Sequence, residues 1–353
     1  MDSKPTRYPE ITVSGSHREM GRQLGEQAGE LVRRFCDLAL ESANRMASVT
    51  PEEAQRVSAK SLEYAKRYAP CLAEEFQGIA ESAEVDVLDL MLAQVRNQFS
   101  DDQQNACTSL SVAPTITTNG SHFVAQTWDA DPALDEVTIV LTRRPTEGPD
   151  YMSVGQAGLI GYMGLNESGI GCCVNTLPAP SRGVGVPHYF SLRRIFEQTS
   201  LDDAVDVLEQ AYRAIPVNIM MTTPQGPANI EATPEQVFVL RDPECLVHTN
   251  HCLHSELVSI NEEYDELCQS YSRLPRMNAL LASRTSDLSV ATISEWFQDH
   301  DNYPGSICRH ANPDDSKHGF IETVFAMIVD AENRSFYVSR GTPCNSPFEE
   351  YRF

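Results

Sequence analysis

The chain has 353 residues, enough for one large domain or two smaller ones, and its 41% apolar and 22% charged content is that of an ordinary globular protein. Fifty acidic against 27 basic side chains give a formal net charge of −23, which argues against nucleic acid and anionic membrane as partners. Ten cysteines without a CxxC pair make no disulfide scaffold; with no apolar stretch in Met1–Arg7 and no run of 18 apolar residues, the expectation is a cytoplasmic protein with reduced thiols.

Residues 8–15 read as a short strand closing at Gly15. From Ser16 onward Met20, Leu24, Ala28, Leu31, Val32, Phe35 and Leu38 recur at three- and four-residue spacing, the apolar stripe of a helix. Thr50-Pro51-Glu52-Glu53 reads as a helix start, with a threonine cap, proline in the first turn and a glutamate completing a capping box; the helix should end before Pro70. Two more helices are expected near 71–83 and 87–98, followed by a polar loop at Asp101–Asn105. Strand-like runs then fall at 108–113, 121–128, 136–143, 151–155, 160–165 and 169–175, with helices at 188–198 and 201–213. Strands return at 217–223, 227–232, 236–240 and 245–249. A helical region at 257–283 and a short helix at 291–298 follow, and strands at 304–308, 321–330 and 335–339 close the chain. This order predicts an α+β fold of antiparallel sheets covered by helices.

The seam between the helical third and the strands is Asn105-Ala106-Cys107-Thr108-Ser109-Leu110-Ser111-Val112. Most cysteines are small buried hydrophobes. Cys107, however, follows a polar loop and a small residue, and opens a strand that carries hydroxyls. Its sulfur can reach the Ala106 carbonyl through a five-membered ring, an N-to-S acyl shift. Cleavage there would put a thiol and a free α-amine on one residue, with the amine near pKa 7.7–8.0, where a general base is useful.

The run Ala106-Cys107-Thr108-Ser109 with Gln126-Thr127-Trp128-Asp129 resembles the isopenicillin N acyltransferase (acyl-coenzyme A:aminopenicillanic acid acyltransferase) family of N-terminal nucleophile hydrolases. Gly15–Gly21, Gly158–Gly161, Gly164–Asn175, His248–His251 and Ser306–His310 agree with it in the same order. The resemblance implies a four-layer αββα sandwich with a helical N-terminal segment. It implies self-cleavage into residues 1–106 and a catalytic core of residues 107–353, the two fragments staying together as one globular domain. Cys107 would be the nucleophile and Asp129 the acidic residue orienting its amine and thiol. Asn250 would give a side-chain amide donor to the oxyanion hole, Asn175 its backbone N–H as in the related choloylglycine hydrolases, and Arg309 would stand close to the nucleophile. Ala106 stands where the family commonly has glycine, and Thr127 where it has asparagine.

Read from pattern alone, each partner keeps a second interpretation. Asp129 could be a turn former before Ala130-Asp131-Pro132, Asn250 a residue that turns the chain, and Arg309 a surface arginine. As chemistry, a neutral amide suits developing negative charge, and a permanent guanidinium beside a thiol favours the thiolate. His248, His251, Cys252 and His254 suggest a competing reading, a non-catalytic metal-binding protein, but their spacing matches no standard zinc pattern. The expectation is therefore a cysteine amidohydrolase acting on a small N-acyl amine or amino-acid-like amide through an acyl-thioester. Acyl transfer to an amine is the alternative. The expected partner is a small-molecule amide substrate, with no metal, no cofactor, no nucleic acid and no membrane.

Overall fold

The computed structural model describes residues 5–47, 49–99, 106–316 and 318–353; the loop expected at Asp101–Asn105 lies outside them. Strand β1 (Glu10–Gly15) leads into α1 (His17–Ala47) through a reciprocal cap. The Ser16 N–H donates to the Glu19 carboxylate at 2.8 Å, and the Glu19 N–H returns to Ser16 Oγ at 3.4 Å. Thr50 caps α2 (Pro51–Tyr68) by accepting from the Glu53 N–H at 3.1 Å. The expected capping box is only half made, because the Glu53 carboxylate turns to the better-charged partner Arg56. Helices α3 (Pro70–Ala83) and α4 (Val87–Val95) complete the first layer, and a short 3-10 turn extends the latter to Gln98.

After residue 106 the chain forms β2 (Ala106–Val112), β3 (Phe123–Ala130), β4 (Thr138–Pro145), β5 (Tyr151–Gln156), β6 (Met163–Asn166) and β7 (Gly171–Thr176). Helices α5 (His188–Ile195) and α6 (Leu201–Glu209) precede β8 (Val217–Thr222), β9 (Ala228–Ala232), β10 (Val237–Arg241) and β11 (Cys245–His248). Helices α7 (Ser270–Ala282) and α8 (Val290–Trp296) follow, then β12 (Glu322–Asp330), β13 (Ser335–Arg340) and β14 (Phe348–Arg352).

One sheet has the order β1-β4-β5-β6-β7-β8-β9-β10 and the other β11-β2-β3-β12-β13-β14. Neighbours run antiparallel except β1 beside β4. The sheets face each other through β2 and β3 against β7 and β8; α1 packs on β1 and β4, while α7 and α8 cover β2, β11 and β12 from the far side. This is the expected αββα layering. The residues before Cys107 are not helix alone, since β1 is an edge strand of the larger sheet.

Strand β2 shows how the layering uses the sequence. Its alternation is not core against solvent, because every residue of the strand is buried. Leu110 and Val112 pack with Met277, Leu281 and Trp296 under the outer helices. Cys107, on the opposite face with Ser109 and Ser111, joins Val124 and Trp128 in the main core between the sheets.

Two expected elements differ and one strand was not expected. The helix predicted across 257–283 is interrupted, with a 3-10 turn at Val258–Glu262 and a true helix only from Ser270. Cys268 and Gln269 hold left-handed φ values of 46° and 55°, which stop a helix and turn their polar groups inward. The strand expected at 304–308 is a series of turns, fixed by the Cys308 N–H on the Asp299 carbonyl and the His310 N–H on the Pro304 carbonyl, each 3.0 Å. Strand β14, not anticipated, pairs with β13 at the sheet edge; its Phe-Glu-Glu-Tyr-Arg sequence carries too little apolar alternation to announce a strand.

Candidate active site

The antiparallel register of β2 and β3 sets Ala106 opposite Asp129 and Cys107 opposite Trp128, so the acid stands one rung from the candidate nucleophile. The Cys107 N–H donates to Asn250 Oδ1 at 2.9 Å. Asn250 follows β11, which lies beside β2 in the same sheet, and its own N–H donates to Ser270 Oγ at 2.7 Å. Its Nδ2 donates to Thr176 Oγ1 at 2.9 Å and to the Thr176 carbonyl at 3.2 Å. The amide orientation is chemically fixed, because the other atom facing Oδ1 is a guanidinium, which can only donate.

That guanidinium belongs to Arg273, a residue the sequence reading did not select. From α7 it donates to the Cys107 carbonyl at 2.5 Å, to Thr108 Oγ1 at 3.0 Å and to Asn250 Oδ1 at 2.8 Å. Burial brings its pKa down to about 10, with the Arg309 charge acting in the same direction. The signal was present in the sequence. Ser270, Arg273, Met277 and Leu281 are the buried positions of α7, and an arginine within such a stripe is there for a partner.

Arg309 reaches Asp129 rather than Cys107. Its Nε lies 3.4 Å from Asp129 Oδ2, and Nη2 donates to the Cys268 carbonyl and to Gln269 Oε1, both at 2.6 Å. The left-handed pair at 268–269 thus offers both acceptors to one guanidinium. Thr323 on β12, also missed, donates to Asp129 Oδ1 at 2.7 Å and accepts the Arg309 N–H at 3.0 Å. Burial raises the Asp129 carboxyl above its usual range, opposed by the Arg309 and Arg273 charges. Cys107, 1% exposed, has its thiol pushed well up by burial and by the Asp129 charge, with Arg273 opposing. In the uncut chain the sulfur is therefore enclosed and protonated.

Asn175 sits on β7 of the other sheet. Its Nδ2 donates to the Thr249 carbonyl at 2.8 Å, beside Asn250, and its Oδ1 accepts from Gln126 Nε2 at 2.9 Å. The side chain thereby ties the two sheets together next to Cys107. Ala106 is fully buried in β2. All the selected residues, Ala106, Cys107, Asp129, Asn175, Asn250 and Arg309, belong to one connected neighbourhood.

The competing histidine cluster does not converge. His248 Nε2 meets Glu231 at 2.9 Å and its Nδ1 the Thr249 carbonyl at 2.7 Å, His251 Nδ1 meets Ser270 Oγ at 2.7 Å, Cys252 Sγ faces the Pro178 carbonyl, and His254 stacks on Phe238. Alternation along the chain sends them to different partners. Glu231, opposed by burial but held by His248 and the N–H groups of Leu253 and His254, stays below the usual carboxylate range and fastens the segment that carries Asn250.

The family model described as acyl-coenzyme A:6-aminopenicillanic acid acyl-transferase matches residues 116–344. The chain is 28% identical over 345 residues to the acyl-coenzyme A:6-aminopenicillanic-acid-acyltransferase 40 kDa form of Emericella nidulans, covering 97% of this chain and 94% of that protein. Among solved structures, penicillin V acylase from Agrobacterium tumefaciens aligns with a TM-score of 0.47 at 13% identity, over 66% of this chain and 83% of its own. A mutant conjugated bile acid hydrolase from Clostridium perfringens gives 0.45 at 12% identity, over 70% and 97%. With the family model spanning most of its length and a relative aligned nearly end to end, the chain is an enzyme that belongs to the acyl-coenzyme A:6-aminopenicillanic acid acyltransferase family.

Proposed function

We propose that this enzyme is an amidohydrolase that activates itself by cutting the Ala106–Cys107 bond and then cleaves a small N-acyl amine or amino-acid-like amide. The observation that carries the reading is the grip on Cys107: its nitrogen on Asn250 Oδ1 at 2.9 Å and its carbonyl on Arg273 at 2.5 Å. A residue held by its backbone on both sides keeps its place when the bond before it breaks. In the first step the Cys107 thiol adds to the Ala106 carbonyl, the C–N bond breaks, and the nitrogen takes the thiol proton. Water then hydrolyses the resulting thioester and frees Cys107 as a new terminus.

In turnover the α-amine takes the Cys107 thiol proton and the thiolate adds to the substrate's acyl carbonyl. The oxyanion rests on Asn250 Nδ2, exchanged from its bond to Thr176, and on the Asn175 N–H. The amine leaves with the proton held by the Cys107 nitrogen, and water releases the acid from the acyl-thioester. Asp129, flanked by Arg309 and Thr323, orients the new terminus from the adjacent rung.

A second reading ends the same intermediate differently, by attack of an amine on the acyl-thioester. It is favoured by the 28% identity to a protein named as an acyltransferase. Acid release from N-acyl amides, measured with and without added amines, tests both. Hydrolysis predicts acid at an undiminished rate without amine, whereas transfer predicts new amide and little acid. Cys107→Ala should abolish either product, and an active Cys107→Ala enzyme would sink the proposal.

A further inference from the structure

The geometry points to a metal site outside the catalytic cluster: His300, Cys308, His310 and Cys344 form a four-ligand cage for a zinc-class divalent ion. Their ligand atoms all lie within 4.8 Å of one another. His310 Nε2 stands 3.0 Å from His300 Nε2, 3.6 Å from Cys308 Sγ and 3.4 Å from Cys344 Sγ. A tetrahedral zinc with bonds of about 2.0–2.1 Å to nitrogen and 2.3 Å to sulfur has ligand–ligand edges of about 3.3–3.8 Å, so small side-chain adjustments close the cage.

The residue types agree with the spacing. Two thiolates and two neutral imidazoles suit zinc in preference to magnesium or calcium, and two thiolates cancel the ion's charge. Binding releases one proton from each cysteine. Four protein donors fill a tetrahedral shell and leave no position for substrate, so the ion is structural.

Its place in the fold supplies the reason for it. His300 follows α8, Cys308 ends the run of turns where a strand was expected, His310 lies two residues on, and Cys344 lies between β13 and β14. Around this segment the backbone is fixed by isolated hydrogen bonds rather than a ladder, and a metal would cross-link it to the edge hairpin. Arg276 braces the entry by pairing with Asp299, whose carbonyl receives the Cys308 N–H. Arg309, between two of the ligands, is thereby held towards Asp129; that consequence alone rests on the proposed function.

The test is metal binding by the full-length protein under reducing conditions. Protein stripped with a chelator and titrated with Co2+ should show the intense visible bands of a tetrahedral thiolate site, saturating at one ion per chain and bleaching on addition of Zn2+. Cys308→Ser and Cys344→Ser should each lose those bands and weaken binding by at least 10-fold, and exposed His300→Ala should weaken it less; circular dichroism verifies that each variant is folded. Cys71→Ser, an exposed cysteine elsewhere, should bind as the wild type does. Absence of a tetrahedral spectrum in the wild type, the same spectrum in folded Cys344→Ser, or a Cys308–Cys344 disulfide in protein purified with reductant would overturn the proposal. None of these readouts depends on Cys107 chemistry, so this inference and the catalytic reading fail separately.

Discussion

At Cys107 the proposed chemistry depends on charges that the elements packed around β2 bring to it. Arg273 is the cation nearest that residue's own backbone, and Arg309 acts one step away through Asp129. Removing a donor aimed at a reacting centre costs on the order of 10²-fold in rate. Arg273→Gln should therefore slow both cleavage and turnover by about 100-fold, followed as fragment appearance on denaturing gels and as kcat/KM. Because the Arg273 charge pulls the thiol pKa down, the rising limb of the variant's pH–rate profile should also move to higher pH. An unmoved profile with an unchanged rate would remove Arg273 from the mechanism. Arg273→Lys should recover little, since one ammonium cannot span the Cys107 carbonyl, Thr108 and Asn250 together. The sequence made Cys107 and Asp129 legible because they flank a strand pair with local signals. Thr323 stayed hidden because its role depends on a contact from β12 to β3 that no local pattern encodes, and the stripe of α7 marked Arg273 as wanting a partner without saying that the partners lie on β2 and after β11. Asn250 was expected as a side-chain donor; in the structure its oxygen accepts from the Cys107 N–H while its amide donates to Thr176.

The helices that cover the larger sheet depend on a buried charge cluster and on close backbone contact. Glu75 on α3 bonds Arg143 of β4 at 2.7 Å, meets Arg193 of α5 at 3.5 Å and takes a hydrogen bond from His17 of α1 at 3.1 Å. Burial opposes its ionisation, but Arg143, Arg193 and His17 more than offset that and hold the carboxyl at about 2. Holding it there instead of at 4.5 is worth on the order of 3 kcal/mol. The sign follows from the depressed value: this stability is complete above pH 4.5 and disappears as pH falls through 2. Glu75→Gln should lower the midpoint of thermal unfolding at pH 7 and flatten its decline in acid, with a loss of about 3–5 kcal/mol because buried Arg143 loses its counter-ion and Arg193 keeps only Glu197. Equal acid sensitivity in variant and wild type would refute this. Nearby, α1 and α3 approach so closely that a Cβ on Gly21 would lie 1.9 Å from the Glu75 carbonyl oxygen, and one on Gly78 would lie 2.6 Å from that of Arg18. Gly21→Val should separate the helices and cost at least about 1–3 kcal/mol by chemical denaturation. The stripe of α1 was readable from spacing. The charge cluster was not, because its members come from four elements far apart in sequence.

Over the whole molecule, order and layering were legible because helix-period and strand-period runs are separated by Gly, Pro, Asn and Asp, with strand β1 before residue 106 and helices α5 to α8 after it. The strand expected at 304–308 is absent for a physical reason: the order of this turn-rich segment comes from tertiary hydrogen bonds such as the Cys308 N–H on the Asp299 carbonyl, not from a ladder. The same architecture predicts that a cut before Cys107 leaves one particle. β1 pairs with β4, α1 packs on the larger sheet, and Glu75 of α3 pairs with Arg143 and Arg193, so the fragment before the cut is bound to the rest by buried contact. Size-exclusion chromatography should give one peak containing both fragments, and two separate peaks would contradict that packing. Self-cleavage is the central claim, and intact-mass analysis of active wild-type enzyme with N-terminal sequencing tests it most directly. Two chains are predicted, residues 1–106 and 107–353, the larger beginning Cys-Thr-Ser. Full activity from a single unbroken polypeptide would contradict the account.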